Sequence, residues 1–465
     1  MTNVDFDVAQ LEQICKKQSI SALDTQLVSQ KISNYFNVHG RDQAFRKILA
    51  TLTSRFSDLI EHCEQVSGVE FADQFFLFTY TLSENYDNSQ REIFENIAVP
   101  FQNWVHKKWG ATKNVFEFNI TNQTDTVLII TRHCVTQGMY APGKSIYSIT
   151  EALLMAGRTV EIICLGSLGQ DFLLLEKKFK SFKVIKLVGS DLNSFIISTL
   201  DIIRLTRPKC IISEMEFGIG GLLGILSQNI PTYYFAQGYY NLPWYDKLLI
   251  SDGHRENNVS LREESLIFYH PFLSQKLLAP NPNEAAIEQA KQQLQISDND
   301  IVVSSFGRME KFSLAFLDDC IAMLEANPRV KLILAGSNDA KIVLEKLEKY
   351  TAIKRAFVLP PSDTHTLGYL TTFGIDSHPN PAGYAVLELL AKGKPVFSRD
   401  REELRNWKKQ RQTEFLYNDQ KQLNKFITKL TSSHEAMEQG KESALKIVNK
   451  FGLSQAQEFI TAVSL

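Results

Sequence analysis

Over the first 115 residues apolar side chains recur three and four positions apart, as in FADQFFLFTYTLSENYDNSQREIFENIAVPFQNWVHKKW, with few β-branched runs. That spacing lays an apolar stripe along each segment and predicts an α-helical unit over residues 1–115. Between residues 110 and 126 the composition turns to Asn, Thr and Gly, and a boundary is expected there.

From residue 126 the period changes. Short, nearly all-apolar runs (TVLIITRH, TVEIICLG, KVIKLVG, CIISEMEFG, PTYYFAQG) alternate with helix-length segments such as SIYSITEALLMAG. Strands apolar on both faces belong to a parallel sheet covered by helices on both sides, so residues 125–275 read as a Rossmann-like, doubly wound unit. A polar helical linker, NPNEAAIEQAKQQLQISDND, follows, and the alternation restarts with IVVSSFG, VKLILAGS, AFVLPP, FGIDSHP and KPVFSRD. Residues 276–465 therefore read as a second such unit. The expected class is α/β: two Rossmann-like domains facing a cleft, preceded by an α-helical N-terminal domain. Such sheets bind ligands beyond the carboxyl ends of their strands.

Composition narrows the candidates. The 465 residues are 44% hydrophobic, enough for several cored units. Lys and Arg (50) nearly balance Asp and Glu (52), which argues against a nucleic-acid binder. The six cysteines are scattered, with no CxxC and no spacing that suits a metal, as in buried thiols of a reducing compartment. The N-terminus carries acidic residues and no apolar core of a signal peptide. Residues 217–245 lack charge, but Gln228, Asn229, Pro231, Gln237 and Pro243 interrupt them, so no membrane span is expected. The reading is a cytoplasmic protein.

Candidate chemistry gathers at the strand ends of the last unit. Beyond IVVSSF lie Gly307, Arg308 and Lys311; beyond AFVLPPSD lies His365; beyond GIDSHPNP a helix opens at Gly383 with Glu388 inside it. A helix N-terminus offers free amides to an anion, here at Gly383, Tyr384 and Ala385. Arg308 or Lys311 can neutralise a pyrophosphate, and Glu388 can accept the two hydroxyls of a ribose. Glu388 amid AVLELLA is odd for a solvated helix position. The set suits a nucleoside diphosphate. Gln237, on a Gly-containing loop after a strand, is placed for a binding contact. His378 reads as structural.

These stretches resemble the GT-B glycosyltransferases from about residue 126 onward. NPAGYAVLELLAKGKPVFS is similar to the nucleotide-sugar signature of the retaining enzymes, with Glu388 as its second carboxylate position and Asn380 at the first. SSFGRMEKFS, which begins its phenylalanine-to-lysine stretch at Phe306, resembles glycosyltransferase family 41, the O-GlcNAc transferases and bacterial cytoplasmic adhesin N-glucosyltransferases. IPTYYFAQGYYNLPWYDKLLISD, SLIFYHPFL, LPPSDTH and TRHCVTQGMYAPGKSIYSI resemble further stretches of that family in the same order.

The resemblance implies a UDP-hexose donor, UDP-glucose first, and a protein or glycoprotein acceptor such as a bacterial adhesin. It implies Lys311, with Arg308 as second candidate, on the leaving diphosphate, and His133 on the acceptor side as a candidate general base. Backbone amides at 383–385 would hold phosphate, Glu388 the ribose, and the strand end around Val358 with His365 the uracil. No metal cofactor is needed in such a site. Two alternatives stay open: a retaining enzyme that extends an attached glycan or builds a polysaccharide, and a catalytically inactive module acting as chaperone or partner in a glycosylation or secretion system.

Overall fold

The computed structural model describes all residues except 1–2, 40–42, 83–87, 110–122, 137–140, 188–191, 216–217, 227–229, 236–243, 252–265, 270–271, 338–339, 379–382, 401–414 and 464–465. The helical periodicity of the N-terminal region is realised as α1 (Asn3–Lys16), α2 (Ala22–His39), α3 (Gln43–Thr53), α4 (Phe56–Glu61), α5 (Gln65–Leu82) and α6 (Asn88–Trp109). Phe56, Phe71 and Phe75 cluster with ring centroids 5.2–5.8 Å apart, the aromatic centre of this unit.

The next strands are β1 (Thr126–Thr131), β2 (Thr159–Cys164), β3 (Phe182–Lys186), β4 (Cys210–Ser213), β5 (Thr232–Phe235), β6 (Lys247–Ser251) and β7 (Leu266–Tyr269). They form one parallel sheet in the order β3-β2-β1-β4-β5-β6-β7. β6 and β7 are not among the apolar runs from which the sequence pattern predicts strands. Between the strands lie α7 (Ala141–Met155), α8 (Gln170–Lys178), α9 (Leu192–Thr206) and α10 (Ile219–Leu226).

Strand alternation divides this sheet between two cores. Val127 and Ile129 face the layer that holds α7 and α8. Leu128 and Ile130 face the layer of α9 and α10, which is continuous with the core of the N-terminal helices. Trp244 is a joint in that layer: it packs edge-on against Phe101 of α6 at 5.8 Å. It also lies over Gly221 and Gly224 of α10, where an added Cβ would stand 2.8–2.9 Å from the indole. The helical region is thus built onto the sheet.

After α11 (Gln275–Leu278) and the polar α12 (Glu284–Gln293), which buries no residue, the second sheet begins. Its strands are β8 (Ile301–Phe306), β9 (Val330–Ala335), β10 (Ala356–Leu359), β11 (Phe373–Ile375), β12 (Val396–Arg399) and the short β13 (Leu416–Tyr417), which the sequence pattern did not reveal. The order is β10-β9-β8-β11-β12-β13, again parallel. Its helices are α13 (Leu314–Ala326), α14 (Lys341–Leu347), α15 (Thr364–Leu370), α16 (Gly383–Ala391), α17 (Gln420–Leu430) and α18 (His434–Asn449).

The chain then turns back. The last helix, α19 (Gln457–Val463), packs Phe459, Ile460 and Val463 into the core of the first sheet, although the expected third unit ran to residue 465. The two passages between the sheets are tied together, Leu273 N donating to Phe451 O at 2.7 Å. Among the described residues no helix is long and apolar enough to cross a membrane. All six cysteines are free thiols.

Candidate functional site between the two sheets

In each sheet the strand order reverses once, between β1 and β4 and between β8 and β11. Such switch points open a crevice at the carboxyl ends of the strands. At the second one the loop after β8 is pinned in place. Gly307 N donates to Ala335 O (3.1 Å) and Met309 N to Ser337 O (2.9 Å), while Met309 and Phe312 are buried. Gly336 is required here: a Cβ on it would stand 1.7 Å from Gly307 O. The result is a one-turn 3-10 helix, Met309–Lys311, that leaves Arg308 exposed and Lys311 half-buried, its stem 3.6 Å from where a Cβ on Gly307 would lie.

The loop leading to α16 is held from the other side. Ser313 Oγ donates to His378 O (2.6 Å) while accepting from Phe316 N (3.2 Å), so one hydroxyl caps α13 and anchors the loop. The His378 ring is buried, with Nε2 3.0 Å from Asp319 Oδ2. Tyr417 Oη (3.1 Å) and Arg399 Nη1 (3.2 Å) donate to the same oxygen. Burial pushes the Asp319 carboxyl up, but these donors outweigh it and hold it below the usual range. His378 is structural, as its sequence setting indicated.

Among the described residues, two cavities lie along the cleft. One, of about 220 Å³, is lined by Phe306, Gly307, Arg308 and Lys311 from the β8 loop and by Gly383, Tyr384, Ala385 and Glu388 from α16. Eight residues picked from two distant sequence stretches meet there. The same cavity takes in Thr364 and, from the first sheet's unit, Ala141 and Lys144. Glu388 is buried, accepts from Thr364 Oγ1 at 3.3 Å, and forms an ion pair with Lys144 Nζ, the two side chains being 3% and 4% exposed. Next to it Ser145 Oγ and Tyr384 Oη hydrogen-bond across the same divide.

The second cavity, of about 650 Å³, contains His365, Pro361 and Ser362 opposite Thr136, Asp171 and Lys276. Asp363 caps α15 by accepting from His365 N (3.0 Å) and Thr366 Oγ1 (2.6 Å). Lys392 Nζ lies 2.8 Å from Leu278 O, 3.1 Å from Glu388 O and 3.0 Å from His365 Nδ1. A charged ammonium donates to all three, which leaves the His365 ring proton on Nε2. Burial brings the Lys392 pKa down to about 8, and burial with the Lys392 charge lowers that of His365.

The remaining expected residues lie elsewhere. Val358 packs against the α13 side of the second sheet and lines neither cavity. His133 also lines neither cavity: its Nδ1 accepts from Ser167 N at 3.0 Å. Its ring is so close to Gly166 that a Cβ there would stand 2.5 Å from Nδ1. Burial, then Arg132, lowers its pKa, and the neutral ring that accepts at Nδ1 carries its proton on Nε2. Gln237 and Asn380 fall outside the described residues. Sequence reasoning missed Lys144, Thr364 and Lys392. A lysine in the first turn of the apolar segment GKSIYSI, against the helix dipole, was the available signal for the first of these.

No protein-family model and no curated protein matches the chain. Solved structures do. A glycosyltransferase from Rickettsia africae superposes with a TM-score of 0.55 at 15% identity, over 73% of this chain and 99% of that one. HepE of Anabaena, solved with UDP and glucose, gives 0.53 at 16%, over 72% and 98%. The Thermobaculum terrenum O-GlcNAc transferase gives 0.54 at 12% and spans 100% of this chain and 96% of its own, the helical N-terminal region included. Likeness at such identities establishes architecture, and with the two switch-point sheets facing one cleft, the chain has the GT-B fold.

Proposed function

We propose that the protein is a glycosyltransferase that uses a UDP-hexose, with UDP-glucose the first choice, and transfers the sugar to a protein or glycoprotein acceptor such as an adhesin in the bacterial cytosol. The observation that carries this reading is the convergence of Arg308, Lys311, the α16 N-terminus and Glu388 on one cavity at the second switch point. The diphosphate lies against the amides at 383–385, and Lys311 and Arg308 offset the charge that builds on it as the glycosidic bond breaks. No metal is required for that task. Glu388 takes the ribose hydroxyls and the uracil occupies the larger cavity beside His365. The solved complex of HepE with UDP and glucose supports a donor of this class.

A second reading, a non-catalytic module acting as chaperone or partner, is favoured by one observation: Lys144 already occupies Glu388. Thermal unfolding with UDP separates the two. A ligand at a thousand times its Kd adds about 4 kcal/mol, so millimolar UDP raises the melting temperature by several degrees under the first reading. No shift, together with no turnover of any UDP- or GDP-sugar, overturns it in favour of the second. Among active outcomes, a β product on bare polypeptide supports the family-41-like reading; an α product on an already glycosylated acceptor supports a retaining, extending enzyme.

A further inference from the structure

The ion pair between Lys144 and Glu388 joins the two Rossmann-like units across the cleft, and neither side chain reaches solvent to any extent. Stability does not explain it well. A buried pair gains little over apolar residues of similar volume, and an ammonium in the first turn of α7 opposes the helix dipole. The cavity beside it also carries the cations of Arg308 and Lys311, with Glu388 the single carboxylate among the described residues that line it.

We propose that Lys144 is a ligand for the donor's diphosphate, held on Glu388 until the ribose hydroxyls take that carboxylate. The inference rests on the nucleoside-diphosphate reading above. In the exchange, Glu388 trades the ammonium for two hydroxyl donors and Lys144 trades the carboxylate for phosphate oxygens, so no buried charge is left alone. A nucleoside without phosphates can take Glu388 only by stranding the lysine, which is costly in a buried site. Lys144 is thus a specificity residue: it makes the site reject a nucleoside and accept its diphosphate. Because it comes from the other unit, it also links donor binding to the relation between the two units, alongside the Ser145–Tyr384 contact.

Calorimetric titration of UDP and of uridine into the wild type and Lys144→Met tests this. The expected result is UDP affinity at least tenfold weaker in the variant, with uridine unchanged or tighter, so that the ratio of the two affinities narrows. Equal tightening of both ligands would make Lys144 a mere plug, and no change in either would make it a structural residue; each overturns the proposal. Should Lys144→Met fail to fold with Glu388 left unpaired, Glu388→Gln is compared with the double variant Lys144→Met/Glu388→Gln. The same narrowing is expected there, and an unchanged ratio overturns the assignment. If the wild type binds uridine and UDP equally, the diphosphate ligand role is wrong while a nucleoside site stands; if it binds neither, the donor-site reading falls and this one with it.

Discussion

Two buried carboxylates in the second Rossmann-like unit differ in a way that separates architecture from function. Asp319 is surrounded by donors from its own unit, His378, Arg399, Tyr417 and Gln420, and lines neither cavity. Glu388 has Thr364 from its own unit and Lys144 from the opposite one, and it lies on a cavity. Satisfaction from within one rigid unit makes the first a staple for the loop before α16. A partner borrowed across a cleft makes the second exchangeable.

The contrast predicts opposite responses to substitution. Asp319→Ala leaves several buried donors without an acceptor and should destabilise the protein by about 3–5 kcal/mol, measured by denaturant unfolding. The same group contributes to the acid limb of stability, as do Asp24, Asp300 and Asp363. Its folded pKa lies below the unfolded one, so its contribution is present above about pH 4 and is lost as pH falls through the folded value. Asp319→Asn should flatten that limb; an unaltered acid slope would break the comparison from the Asp319 side.

On the Glu388 side the effect should fall on turnover. Lys311→Ala is expected to leave unfolding unchanged and to reduce transfer roughly 100-fold, about 2.7 kcal/mol, if the ammonium meets the leaving diphosphate. Unchanged turnover with an identified donor and acceptor would remove Lys311 from the site.

A smaller effect sits at alkaline pH. Lys392, against the Glu388 carbonyl, has a folded pKa of about 8, below its unfolded value near 10.5. Below pH 8 its buried charge is a cost. As pH rises from 8 to 10.5 the folded form sheds the proton while the unfolded form keeps it, so this group's contribution to stability rises, by on the order of 2 kcal/mol. Lys392→Met should remove that rise, read as the wild-type-minus-variant difference in unfolding free energy; a pH-independent difference would sink the assignment. The smallest expected change is Ser313→Ala, about 1 kcal/mol from the lost cap. A slight further loss of UDP binding through the loaded His378 carbonyl would tie the staple to the site, and intact binding would separate them.

Much of the site was legible in the primary structure because its parts are local. IVVSSFG followed by Arg308 and Lys311 announces a strand end with cations, and a Pro- and Gly-containing loop before AVLELLA announces a helix N-terminus with a misplaced carboxylate. Those readings survive because a strand end and a helix start are set by residues within a few positions of each other. His133, a lone histidine after the first strand and the candidate general base on the acceptor side, lines neither cavity, because its Nδ1 accepts from Ser167 N, thirty-odd residues away. Val358 sits at the right strand end, but the pleat turns it to the α13 face.

By itself, then, the order of apolar and polar residues determined a helical region, two parallel α/β units and the strand ends that carry the candidate site, since periodicity and turn chemistry act over short stretches. Only the tertiary structure decided that the helical region shares a core with the first sheet and that α19 returns to that sheet. It also decided that Glu388 meets Lys144, 244 positions away in the chain. Those outcomes depend on which surfaces close on one another, and no local spacing encodes the charge that a folded neighbour will bring.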